Sequence, residues 1–102
     1  MADVFVAVLV IHLHFPESGS LKGKRRELSS LKAQLHGRHG ASVAEVAHQD
    51  TWQRSTVAAA LCSGSVAHVR EHADHVERWL DERFPEGVRV ERTIASLTDM
   101  GG

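Results

Sequence analysis

The stretch SLKGKRRE, Ser20 to Glu27, sets Lys22, Lys24, Arg25 and Arg26 close together where a helix should begin. A helix N-terminus already carries partial positive charge, because its first N–H groups lack carbonyl partners. Cations added at that pole repel it, yet with the N–H groups they make a site suited to phosphate. Gly19 and Gly23 beside them would let a ligand approach closely. The spacing is not GxxxxGK[ST], so this is not the phosphate loop of nucleotide hydrolases. The competing reading is a solvated helix face whose cations pair with Glu17 or Glu27.

A second constellation is HQDTWQR, with Glu45 just before it. Asp50, Trp52, Gln53 and Arg54 bring a carboxylate, an indole, an amide and a guanidinium into one turn. Trp52, Gln53 and Arg54 could stack on and hydrogen-bond an extruded base. Equally, a Trp–Arg stack tied to Asp50 or Glu45 could hold the hairpin or an interface. The second role is favoured, because aromatic residues make up only 5% of the chain and no RRM-type aromatic pair occurs.

Other chemistry has less support. His68, His72 and His75 follow the spacing i, i+4, i+7 and line up with Trp79. A zinc site needs further ligands, and neither HExxH nor a cysteine pair is present, so no metal is expected. His12 and His14 share one strand face and read the same way. Glu45 and Asp50 could act as acid and base, but no nucleophile–base pair is recognisable. No catalytic residue and no cofactor is assigned. The expectation is not an enzyme.

Asp3 to Phe15 is rich in β-branched residues and reads as a strand. Its odd positions from Phe5 to Phe15 are apolar throughout and should face the core. Ser20 caps a helix to about His36, striped by Leu21, Leu28, Leu31 and Leu35 and ended by Gly37 or Gly40. Strands follow over Ala41 to Ala47 and Trp52 to Cys62, the latter with Val57, Ala59 and Leu61 inward. Ser63 or Ser65 caps a second helix to about Phe84, striped by Val66, Val69, Ala73, Val76 and Leu80. Val88 to Leu97 is the last strand.

The order β-α-β-β-α-β predicts an α+β, ferredoxin-like sandwich. It has a four-stranded antiparallel sheet in the order 4-1-3-2 with both helices on one face. Residues 1–97 form the single domain, and residues 98–102 are expected to fray. Strands 1 and 3 are expected to run parallel in the middle of the sheet. That would separate the basic cluster from the Trp52 turn by roughly 30 Å, making two sites. The sheet face away from the helices offers Val4, Val6, Val8 and Val10 beside Thr56, Ala58 and Ala60. Such an apolar patch should be covered, and a homodimer through it is expected.

Composition sets the outer bounds. The 102 residues carry a net charge of −1, which gives no global attraction to nucleic acid or anionic lipid. Binding of either must be local. The single Cys62 excludes an internal disulfide and fits a reducing cytoplasm. The apolar run Val4 to Leu13 is too short to span a bilayer and lacks the flanks of a signal peptide. No membrane association is expected.

Taken together, SLKGKRREL after a strand ending HLHFP, followed by SVAEVAHQDTWQRS, resembles the YlxP-like family of small bacterial proteins. The match falls on Ser20, Leu21, Lys22, Lys24, Arg25, Glu45, Val46, Asp50, Trp52, Gln53 and Arg54. Ser55, where a small apolar residue is common, and the eight histidines depart from the family pattern. The resemblance implies a ferredoxin-like domain of unknown function, often encoded among translation and ribosome-maturation genes. The function expected is an accessory protein that binds RNA or a ribonucleoprotein through Lys22, Lys24, Arg25 and Arg26. The alternatives are a homo-oligomeric protein–protein adaptor and a binder of phosphate or nucleotide ligands.

Overall fold

The computed structural model describes residues 3–15, 19–48, 51, 53–85 and 87–101. Its elements are β1 (Phe5–His14), α1 (Leu21–His39), β2 (Ser42–Ala47), β3 (Arg54–Ser63), α2 (Val66–Arg83) and β4 (Val88–Ser96). The strands form one sheet in the order β2-β3-β1-β4, which is the expected 4-1-3-2 order. Neighbouring strands are antiparallel throughout. The chain is an α+β protein with a βαββαβ ferredoxin-like fold.

The parallel arrangement expected of strands 1 and 3 does not occur. β1 and β3 run antiparallel, with Phe5 opposite Ser63 and His14 opposite Arg54. The physical reason lies in the connections. A right-handed crossover makes β1 and β2 parallel, the short β2–β3 connection reverses the chain, and β3 lies between them. It must therefore oppose both. The end of β1, the start of α1 and the start of β3 consequently share one end of the molecule, called here the upper end.

Alternation fixes the two faces of the sheet. Ala7, Leu9 and Ile11 on β1 and Val57 and Ala59 on β3 are fully buried beneath the helices. Val69, Ala73, Val76 and Leu80 of α2 and Leu28, Leu31 and Leu35 of α1 close the core from above. Each fully buried Leu or Val contributes about 1.5–3 kcal/mol relative to exposure. The helix termini follow local chemistry. The Ser20 and Ser65 side chains accept from the N–H groups of Gly23 and His68. α1 runs past His36 to Gly40, whose φ of 66° is a left-handed conformation that glycine adopts without steric cost.

Arg92 ties β4 to α2. Its guanidinium donates to Asp74 Oδ1 at 2.7 Å, and from Nε to Glu77 Oε2 at 2.6 Å. Beyond β4, residues 97–101 form a hydrogen-bonded turn in which Ser96 and Asp99 exchange side-chain and backbone bonds. Among the described residues, no helix is long and apolar enough to cross a membrane.

Candidate functional site

The α1 stripe runs through Leu35, Leu31 and Leu28, and one more helical step of four reaches Lys24. Lys24 is therefore on the buried face, and only 1% of its surface is accessible. Its ammonium emerges under the β2–β3 connection and donates to the carbonyls of His48 and Thr51, each at 2.5 Å. The carboxylate of Glu45 lies 3.9 Å from it and accepts a 3.1 Å hydrogen bond from Ser55. A buried ammonium without such partners would cost several kcal/mol. His48, whose carbonyl accepts here, holds a φ of 61°, uncommon for a residue with a side chain. Lys24 is an anchor, not an exposed contact.

Its neighbours differ in phase and in fate. Lys22, Arg25 and Arg26 step off the stripe and are exposed to solvent. The first turn of α1 contains no acidic residue. Among the described residues, no carboxylate stands within ion-pair distance of these three cations. Glu27, the expected partner, instead faces Arg83 of α2 at 3.9 Å.

The two constellations separated by the sequence reading meet at the upper end. The Phe15 N–H donates to the Gln53 carbonyl at 2.8 Å, and the His14 N–H donates to the Gly87 carbonyl at 3.0 Å. The segment leaving β1 is thus bonded on both sides, to the turn before β3 and to the turn before β4. Lys24 fastens the same turn from α1. Gln53 and Arg54 are exposed there, and Glu45 is half-buried in the anchor. Asp50 and Trp52 lie outside the described residues.

On the helix-free face, His12, His14, Arg54 and Arg89 line a shallow groove of about 490 Å³. Arg89 donates to Glu91 at 2.7 Å, and His12 Nε2 lies 3.5 Å from the same carboxylate. The Arg89 bond first, and His12 second, hold the Glu91 carboxyl below its ordinary range. Arg54 has no ion-pair partner among the described residues. Val4 is 38% exposed, and Val6, Val8 and Val10 are half-buried on this face.

The histidines of α2 stand elsewhere. His68, His72 and His75 line a shallow groove with Cys62, Ser63 and Glu71. Among the described residues, no three potential metal ligands converge. The sequence reading missed His39, one helical step beyond Leu35. It is 94% buried by its 6% accessibility, and its ring sits 4.7 Å from Trp79 and 5.6 Å from His75.

The motif residues therefore have distinct tasks. Lys24, Glu45 and the carbonyls of His48 and Thr51 fix the upper end, while Lys22, Arg25 and Arg26 stay in water beside it. The comparisons with known proteins agree with the sequence resemblance. The chain is 35% identical over 78 residues to the Bacillus subtilis (strain 168) protein named "Uncharacterized protein YlxP". That alignment covers 76% of this chain and 80% of the relative. Residues 6–93 match the family model described as "Protein of unknown function (DUF503)". With the fold, the motifs and both matches in agreement, the chain belongs to the DUF503 family.

Proposed function

We propose that this protein is a cytoplasmic, non-enzymatic accessory factor that binds RNA or a ribonucleoprotein through Lys22, Arg25 and Arg26. The observation that carries this reading is the first two turns of α1. Three exposed cations stand at a positive helix pole with no described carboxylate neutralising them. Mutual repulsion there is relieved by an anionic partner. Lys24 keeps the adjacent turn, with the exposed amide of Gln53, at a fixed distance from the cations. Such a rigid edge suits a phosphate backbone followed over several nucleotides. Among polyanions, RNA is favoured by the translation-linked setting that the family resemblance implies.

The test is a salt series with a single-stranded RNA oligonucleotide, followed by fluorescence anisotropy. Each phosphate contact contributes about −0.7 to the slope of log affinity against log salt. Three cations give a slope of roughly −2. The triple variant Lys22→Ala, Arg25→Ala, Arg26→Ala should abolish that slope while keeping its circular dichroism. Absence of binding at low salt, or an unchanged slope in the triple variant, would defeat the reading.

A further inference from the structure

We infer that the helix-free face of the sheet is the seat of a second copy of this chain. The two copies pack face to face, with the upper end of each on the lower end of the other.

The register defines that face. Val6, Val8 and Val10 of β1 stand between Cys62, Ala60 and Ala58 of β3 on one side and Ala95, Thr93 and Glu91 of β4 on the other. The β4 side is polar in the middle, with Thr93 beside Val8 and Glu91 beside Val10, and there Glu91 is already paired with Arg89. The face is four strands wide and β1 is ten residues long. That is about 19 by 33 Å, on the order of 600 Å² in projection. Corrugation by side chains brings the accessible area toward the roughly 800 Å² that each partner of a stable complex buries. No Phe, Tyr or Trp of the described strands points to this face, and the rings of His12 and His14 stand at its upper end, away from the valines. The aliphatic centre formed by β1 and β3 matches the same strip of another sheet, packed at about 10 Å.

Charge selects both the occupant and its direction. At the upper end the face carries Arg54, without a described ion-pair partner, together with His14. At the lower end Val4 and Leu97 are exposed, and the exposed Asp3 and Asp99 stand next to them along the chain. Those carboxylates accept only backbone N–H bonds among the described residues, from Val4 and Ser96. A two-fold axis lying in the interface along the strands would set Arg54 against its own copy. An axis lying across the strands sets the upper end, with Arg54, over the lower end that holds Asp3 and Asp99, and buries the valines on one another. Because one chain supplies both charges, the surface is complementary to itself.

The experiment is sedimentation equilibrium of the full chain from nanomolar to micromolar concentrations, with three variants. Wild type should be a dimer in the micromolar range, and Val8→Asp should be a folded monomer because its carboxylate would be buried unpaired. Arg54→Asp should weaken the dimer roughly tenfold or more, and Arg54→Asp with Asp99→Arg should restore most of that loss. Cys62, opposite Val6 in the register and exposed in the single chain, reports independently. Its alkylation should slow as the dimer forms. A wild type monomeric throughout overturns the inference, as does a Val8→Asp dimer or a Cys62 equally reactive at all concentrations. A double charge variant weaker than Arg54→Asp overturns the head-to-tail arrangement. Capture of a different protein by a chain that stays monomeric gives the face to another occupant.

Discussion

The ammonium of Lys24 donates to the carbonyl of His48 at 2.5 Å, joining the first turn of α1 to the end of edge strand β2. Through that bond and its twin to Thr51, the helix start and the β2–β3 connection act as one unit. Lys22, Arg25 and Arg26 surround the anchor but take no part in it. Four neighbouring cations thus fall into one that builds the end of the molecule and three that remain available at its surface.

This division separates structure from binding by mutation. Lys24→Met keeps most of the stem packing and removes the charged donor. It should cost about 1.5–3 kcal/mol, the range for hydrogen bonds from a charged group. The triple Ala variant at positions 22, 25 and 26 should be neutral or slightly more stable, because cations leave a positive helix pole. Urea unfolding measures both. Equal stability of Lys24→Met and wild type would show that the anchor contributes nothing.

Two glycines of opposite environment give a second comparison. A Cβ added to Gly87 would stand 2.9 Å from the carbonyl oxygen of His14, whose N–H donates to Gly87 itself. The backbone there cannot yield without loosening the β1 end. Gly87→Ala should therefore destabilise by about 1–3 kcal/mol. Gly37, within α1, meets nothing within 4 Å of its added Cβ, and Gly37→Ala should stabilise by about 0.5–1 kcal/mol. Thermal melts of the two variants should move in opposite directions. A harmless Gly87→Ala would mean that the upper end is looser than the contact implies.

The elements themselves were legible because their signals are local. Val66, Val69, Ala73, Val76 and Leu80 keep helical steps, the odd positions of β1 keep strand steps, and Ser20 and Ser65 cap as their chemistry requires. The direction of β3 was misread although the connections determine it, since a strand inserted between two parallel partners opposes both. That single reversal separated two constellations that share one end. Lys24 was misassigned for another reason. Its charge was weighed before its phase, which places it four residues from Leu28 on the buried stripe. Ser55 follows the same logic on β3, sharing the inward side with Val57 and reaching Glu45. His39 escapes notice because a helix to about His36 leaves Gly37 and Gly40 both open as its end, and the left-handed cap is Gly40.

His39 makes the pH dependence of folding a further test. Burial first, and then repulsion from His75, Arg38 and His72, lower its pKa below the ordinary 6.5. Its Nε2 has no hydrogen-bond partner among the described residues, so nothing in the fold stabilises the added proton. Below pH 6.5 the unfolded chain takes up this proton while the folded chain resists it. Stability is then fully present above that pH and is lost as pH falls toward the folded-state pKa. One such group gives a slope of at most about 1.4 kcal/mol per pH unit. His39→Leu keeps apolar contact with Trp79 and removes the titration. At pH 7.5 it should be at least as stable as wild type, because it also removes an unsatisfied buried polar atom. Between pH 7.5 and 5.5 its advantage should widen, with the other seven histidines common to both proteins. Urea titrations at several pH values read the difference directly. Parallel stability curves for the two proteins over that interval would show that His39 titrates as freely in the folded chain as in the unfolded one.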